Sequence, residues 1–217
     1  MPLLDHELVH SENCTRAFER MFWAFLFLFD FRIGLNGVKV DILPDFVAWI
    51  LIASAIGWIL DVHSDTKTVR TISLWLVFLS IFDFVEVEIP FEQIGRHPFV
   101  VIVMIPLGII TLILTLVAVW LICGIIIDMA QATGNSLIRQ QAELRRKVYL
   151  GFAIAVYMVV WMCFYNRELI IPAVLIGLPL AIVILCLMMG LMKSAAEMCR
   201  RGFDQSQYRT DPDSAPY

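Results

Sequence analysis

Residues 99–127 form an unbroken stretch of 29 residues without one charged side chain. The hydrocarbon core of a bilayer is about 30 Å thick, and an α-helix of about 20 apolar residues crosses it. Such a stretch must be helical there, because no water is present to satisfy open backbone groups. It therefore predicts a transmembrane helix and restricts the whole chain to the folds of an integral membrane protein.

Five further apolar segments accompany this one, in a chain that is 60% hydrophobic and only 17% charged. The first three segments are short for a span, so four full spans is the alternative to six. We expect an all-α integral membrane protein, a helical bundle of about six transmembrane helices. The six segments cover residues 21–35, 46–60, 71–89, 99–127, 148–164 and 169–192.

The distribution of basic residues favours six spans. With six spans and the N-terminus inside, 12 of the 16 Lys and Arg residues fall on the inner side, as the positive-inside rule requires. We therefore predict a protein of the cytoplasmic membrane with both termini cytoplasmic. Residues 1–20 are then a polar arm, and residues 193–217 a polar tail that is partly disordered from residue 203. The inner basic residues are Arg16, Arg20, Lys67, Arg70, Arg139, Arg145, Arg146, Lys147, Lys193, Arg200, Arg201 and Arg209.

Acidic residues dominate the predicted outer face, where eight acids stand against four bases. Carboxylate groups suit divalent cations and also line cation pathways. A solvated loop explains the same residues, and Asp41 or Asp45 can instead cap the second helix. Asp30 has Arg32 close by and can form a headgroup-level ion pair. The cation candidates are Asp30, Asp41, Asp45, Asp83 and Glu86.

The long inner loop predicts a helix of its own. Asn135 or Ser136 is a plausible N-cap, and the following residues are good helix formers. We expect one helix from Ser136 through the fifth span. Arg145, Arg146 and Lys147 would then lie at the lipid headgroups, where each gains about 1 kcal/mol from anionic lipid.

The stretch HELVH, residues 6–10, matches the H-E-x-x-H pattern of zinc peptidases. His6 and His10 share a helical face, Glu7 could act as general base, and Cys14 continues the spacing as a third ligand. A catalytic zinc also requires a water-excluding cleft, which a short arm before the first span does not supply. We therefore favour a solvated amphipathic arm over a zinc site or adventitious metal binding.

The remaining composition narrows the classes of function. The five cysteines are widely spaced without a C-x-x-C pair, so we expect no structural disulfide. A net charge of -4 gives no basic surface for nucleic acid. Neither a phosphate-binding glycine motif nor G-x-S-x-G occurs, and we expect no cofactor. The fourth and fifth segments carry no ionisable Asp, Glu, Lys, Arg or His, unlike the spans of most proton-coupled transporters.

The stretch GVKVDILPDF, residues 37–46, precedes the second apolar segment. It resembles a stretch in small uncharacterised bacterial multi-pass membrane proteins, in which a Gly follows where this chain has Ala48. The resemblance covers about the first 60 residues and implies a multi-pass membrane fold without a known mechanism.

These observations favour a non-enzymatic membrane protein that works by association, as a partner subunit, scaffold or sensor. Its expected partners are the lipid bilayer and a second copy or another membrane subunit. The alternative is a small cation channel or transporter that uses the acidic outer face and the prolines of the sixth segment. A zinc-dependent membrane peptidase acting through HELVH is the third hypothesis.

Overall fold

The computed structural model describes residues 2–28, 32–35, 38–41, 45–59, 64–81, 85–87, 102–103 and 105–210. Within them lie six α-helices, three short β-strands and a 3₁₀ turn at Arg167–Leu169. The helices are α1 Pro2–Phe27, α2 Asp45–Trp58, α3 Asp65–Ser80, α4 Ile105–Ala132, α5 Ser136–Tyr165 and α6 Ile170–Thr210. The strands are β1 Arg32–Leu35, β2 Val38–Asp41 and β3 Val85–Val87.

The predicted helical class is confirmed, since the described residues form six helices. The second, fourth, fifth and sixth apolar segments lie largely within helices, whereas the first and third begin in α1 and α3 and also include the strands β1 and β3. The prediction for α5 is confirmed as well, since the helix begins at Ser136 and continues to Tyr165. Asn135 caps it, and its side-chain Oδ1 accepts a hydrogen bond of 3.2 Å from the backbone N–H of Ile138. Gly134 precedes the cap with φ +69°, a conformation that glycine adopts without steric cost. This tight turn makes α4 and α5 antiparallel neighbours.

The helices form a ring in sequence order. Within the described residues each helix packs against the next, and α6 closes the ring by packing against α1. The apolar core fills the end of this ring at which α4 ends and α5 begins. Large side chains such as Phe18, Trp49 and Met188 are almost fully buried there. Buried apolar surface of this kind contributes about 25 cal/mol per Å² to the stability of a protein in water.

The termini are more ordered than the sequence predicts. The polar arm and the first apolar segment form one helix, α1, and Cys14, Ala17 and Phe18 from the arm are buried. The arm is therefore packed rather than solvated along its second half, because these residues meet α2 and α6 on one face. Helix α6 likewise continues to Thr210, beyond the point at which disorder was predicted.

A small antiparallel sheet joins the loops at the opposite end of α1–α3, in the order β1-β2-β3. These strands are not predicted by the sequence, because three or four residues are too few for an alternating pattern to be recognised. The register pairs Arg32 with Asp41 and Lys39 with Glu86. The loops before α2 and after α3 are thereby tied together.

Two helices among the described residues are long and apolar enough to cross a membrane, over Pro106–Ala132 and Ile170–Arg201. Of their most apolar stretches only 33% and 6% is buried, whereas the core helix of a soluble protein is mostly buried. The sequence predicts six spans, and two helices in the described part of the chain meet the length and composition of a span. Helix α2 is apolar but has only 14 residues, which gives a length of ~21 Å.

Candidate functional site

The most distinctive surface of the molecule is a band of exposed apolar side chains on the outer halves of α4, α5 and α6. We define this apolar face as the exposed residues of 109–117, 154–162 and 170–187. Soluble monomers rarely expose contiguous apolar patches of more than a few hundred Å². The three stretches adjoin because α4 and α6 begin, and α5 ends, at the same end of the bundle.

The outer half of α5 is largely exposed. Residues 154–160 are all exposed, from 55–61% at Ile154, Met158 and Val160 to 37–40% at Val156, Tyr157 and Val159. A stronger alternation is present on α6, where Ala173, Gly177 and Ala181 are less exposed than the residues between them. This part of α5 therefore offers apolar surface to more than one neighbour.

The inner end of the apolar face is bounded by the arginine junction, defined here as Arg145, Arg146, Trp120 and Gly190. The half-buried Arg145 donates from Nη1 to the backbone carbonyl of Leu187 on α6, at 2.7 Å. Gly190 lies beside this contact, and a Cβ at that position would meet Nη1 at 3.5 Å, an ordinary van der Waals distance. One arginine thus joins α5 to α6.

Arg146 joins α5 to α4 in a different way. Its guanidinium carbon lies 3.1 Å from the ring centroid of Trp120, a cation–π contact. Its Nε is buried, and within the described part of the chain no atom accepts a hydrogen bond from it. Burial lowers the pKa of both guanidinium groups, yet arginine remains charged in proteins. Two charges therefore persist at the junction of three apolar helices.

The three basic residues that were predicted to lie at the lipid headgroups have different environments in the structure. Lys147 is exposed, whereas Arg145 and Arg146 are half-buried and turned towards neighbouring helices. Consecutive residues on a helix point about 100° apart, so three basic residues in a row cannot share one environment. In the part of the chain that the structure describes, no salt bridge neutralises either arginine.

Two of the predicted cation ligands lie on neighbouring strands of the sheet. Asp41 ends β2 and Glu86 lies in β3, and both stand opposite basic residues in the strand register. Asp30 and Asp83 lie outside the described residues. Paired register positions of opposite charge reduce the net negative charge that a cation site would use.

Asp45 is the first residue of α2, and its Oδ1 is buried. It lies close enough to Tyr149 of α5 for their charges to interact. Tyr149 is well inside the length of α5, ~20 Å from its start.

The HELVH stretch lies in the first half of α1, where the side chains of His6 and His10 are outside the described set. Cys14 is joined by a disulfide to Cys199 of α6, with the two Cα atoms 6.1 Å apart. The expectation of no structural disulfide is therefore wrong: packing of α1 on α6 brings together two cysteines that are 185 residues apart. A cysteine in a disulfide is not a metal ligand, so Cys14 is unsuitable for the proposed zinc site in this state.

No group of three or more His, Cys, Asp or Glu side chains within the described residues is arranged to hold a metal ion. The sequence did not indicate four residues that lie beside arginine side chains: Trp120, Gly190, Ser54 and Trp58. Arg20 donates to Ser54 Oγ, and its guanidinium lies 4.3 Å from the Trp58 ring centroid. The sequence feature that could have indicated these contacts is the repeated occurrence of Trp near segment ends, where tryptophan is enriched in membrane proteins.

Comparison with known proteins adds no relative. No protein-family model, curated protein or solved structure matches this chain.

Proposed function

We propose that this protein is a multi-pass integral membrane protein that works non-enzymatically, by association within the bilayer. The observation that carries the proposal is the outer half of α5, where residues 154–160 are all exposed and almost wholly apolar. Lipid covers such a surface, and so do the helices of a second subunit. In membranes, helix association depends on packing rather than on apolar burial, so an unpacked helix favours a partner.

The packed centre of the helix ring gives further support to association over transport. The side chains there are apolar, and the buried polar residues in the described ranges are Thr66, Ser73 and Ser80. Ser73 and Ser80 donate to carbonyls of their own helix, at 2.8 and 2.7 Å. A cation pathway instead requires polar groups that face a water-filled route.

The full proposal includes six membrane-crossing segments with both termini cytoplasmic. Reporter fusions test it, with reporters placed after residue 217, in the turn at 133–135 and in the loop at 166–168. The first two should read cytoplasmic and the third external, because α5 lies between the two turns. A cytoplasmic signal at 166–168 would contradict the six-span arrangement.

Association itself is tested with a photo-crosslinking residue at Met158, which is 61% exposed on the apolar face. Leu137 provides the matched control, since it is 63% exposed on the same helix but near its inner end. We expect a protein adduct of defined mass from position 158 in native membranes and none from 137. Lipid adducts alone at 158, together with a monomer in mild detergent, would contradict the association function.

A further inference from the structure

The disulfide between Cys14 and Cys199 lies at the end of the bundle where α1 begins and α6 ends. The first apolar segment begins at Met21, and the sixth ends at Met192. Each cysteine is thus seven residues outside its own segment, which is ~10 Å of helix. The two sulfurs are therefore level with each other and beyond the apolar part of the chain.

The residues around the two cysteines are basic. Arg16 follows Cys14, and Arg200 and Arg201 follow Cys199. Basic residues beside the apolar segments are typical of the cytoplasmic side of a membrane protein. Small thiols keep most cysteines in the cytoplasm reduced, and the disulfides that do form there are usually transient, as catalytic or redox-sensing pairs. A disulfide at this end of the bundle is therefore expected to be reversible.

Packing holds the two cysteines together independently of their bond. Ala17 on α1 and Ala195 on α6 are fully buried, and Met198 is buried beside them. Thr133, in the turn after α4, donates to Met198 Sδ at 3.3 Å and connects this part of α6 to the rest of the bundle. The Cα atoms of the two cysteines are 6.1 Å apart, a distance that a disulfide bridges without movement of the backbone. The bond can therefore open and close again without refolding of the protein.

The two sulfurs differ in their access to solvent. Cys14 is only 5% exposed, whereas Cys199 is half-buried, so a dissolved thiol reaches the Cys199 sulfur first. The other three cysteines are free: Cys123 is buried, and Cys163 and Cys186 belong to the predicted fifth and sixth apolar segments. Exchange with a water-soluble thiol is therefore confined to one pair.

We propose that Cys14 and Cys199 are a redox switch that exchanges with a small cytoplasmic thiol of the glutathione type. A glutathione thiolate attacks the Cys199 sulfur, the bond to Cys14 breaks, and Cys14 leaves as a thiolate that takes up a proton. A second glutathione thiolate attacks the glutathione sulfur of the mixed disulfide and releases Cys199. Two glutathione molecules are thereby oxidised to their disulfide, and the pair gains two electrons and two protons. Glutathione disulfide closes the bond by the reverse steps.

The closed bond ties α1 to α6 at the end of the bundle that includes residues 2–13 and 200–210. The switch thus adds a chemical input to the proposed function. It rests on the cytoplasmic location of both termini and not on association with a partner.

A redox titration of the purified full-length protein in mild detergent tests the proposal. The protein is equilibrated with mixtures of glutathione and glutathione disulfide and quenched with acid, and its free thiols are then labelled with a maleimide of high mass. We expect the pair to change from oxidised to reduced within the range of cytoplasmic mixtures, whereas a structural disulfide resists reduction by glutathione. A pair that stays oxidised in every mixture, or never closes in glutathione disulfide alone, would overturn the proposal.

Single variants test the order of attack. In glutathione disulfide, Cys14→Ser should accumulate one glutathione adduct at Cys199, measured by mass. Cys199→Ser should form the adduct at Cys14 on the order of tenfold more slowly, because that sulfur is buried. Cys163→Ser is the matched control and should leave the titration unchanged. Equal rates in the first two variants would contradict attack at Cys199.

Cells that express the full-length protein test the switch where it would act. Rapid acid quenching should trap the pair reduced in growing cells and oxidised after treatment with a thiol oxidant. A reporter fused after residue 217 gives the side of the membrane independently. A pair that is always oxidised beside a cytoplasmic reporter would overturn the switch alone, whereas an external reporter would overturn the six-span topology and the switch together.

Discussion

At the scale of single residues, arginine is the side chain that organises this protein. Arg20 and Arg146 each lie over a tryptophan, and Arg145 donates to a helix carbonyl. Guanidinium groups are weakly hydrated and planar, so they leave water for aromatic faces more readily than ammonium groups do. Arg145 and Arg146, which the sequence predicts to lie at the lipid headgroups, therefore connect neighbouring helices.

Removal of the Arg146 contact should destabilise the junction of α4 and α5. We expect Arg146→Ala to lower thermal stability in detergent by about 1–2 kcal/mol, because a half-buried cation–π pair has that magnitude. Arg146→Lys should recover only part of the loss, since an ammonium cannot stack on the indole. Lys147→Ala is the matched control and should have no effect. Equal melting temperatures for Arg146→Ala and the control would remove the junction's structural role.

The size of residue 190 is a separate prediction. Gly190→Ala should be tolerated, because its Cβ would meet Arg145 Nη1 at 3.5 Å, an ordinary van der Waals distance. Gly190→Leu should displace the guanidinium and lower the melting temperature as much as Arg145→Ala does. If Gly190→Leu melts like the parent protein, the hydrogen bond to Leu187 contributes nothing to stability.

At the scale of elements, the turn between α4 and α5 combines two local devices. Gly134 supplies the positive φ that ends α4, and Asn135 caps α5 through Ile138. The turn glycine and the cap can both be predicted from the sequence GNS at residues 134–136, because turns and caps depend on only three or four neighbouring residues. The α1–α6 contact is the opposite case, since it joins residues 185 positions apart.

Substitutions in this turn should separate the contribution of the positive φ at Gly134 to stability from that of the Asn135 cap. Gly134→Ala should cost about 1–2 kcal/mol, whereas Gly134→Asn should cost less because asparagine tolerates the left-handed conformation. Asn135→Ala should cost about 1 kcal/mol through loss of the cap. Ser136→Ala serves as the neighbouring control. Circular dichroism melts in detergent measure all four, and identical melts would show that the turn does not limit stability.

The link between α1 and α6 should be detectable by chemistry. In protein purified without reductant, Cys14 and Cys199 should resist alkylation while Cys186, which is exposed, reacts. After reduction both should react, and Cys14→Ala should make Cys199 reactive without any reductant. Alkylation of Cys14 at the rate of Cys186 in untreated protein would contradict the pairing.

At the scale of the whole molecule, the helix bundle has a packed inner part and an exposed outer part. Six helices pack around one core at the inner end, and α4, α5 and α6 extend beyond it with apolar surfaces exposed. The long helices reach a span's length of ~30 Å, whereas α2 does not. Apolar side chains on the outer half of α5 remain exposed.

Insertion of the apolar face into a bilayer gives a whole-molecule prediction. Met158→Arg should reduce membrane insertion, because an arginine near the centre of a span costs about 2.5–3.5 kcal/mol. Leu137→Arg should leave insertion unchanged, since that residue is equally exposed but lies at the inner end of α5. Carbonate extraction of membranes distinguishes the two variants. Equal retention of both in the membrane fraction would show that residue 158 does not face lipid.

The sequence by itself determined the helical class, the approximate positions of six helices and the N-cap of α5. These depend on local hydrophobic blocks and on cap chemistry, which act within a few residues. Only the tertiary structure decided that the arm packs into the core, that Arg145 and Arg146 turn inwards, and that Cys14 meets Cys199. Each of these depends on which helix lies beside which, and that choice is made by packing between segments that are distant in the chain.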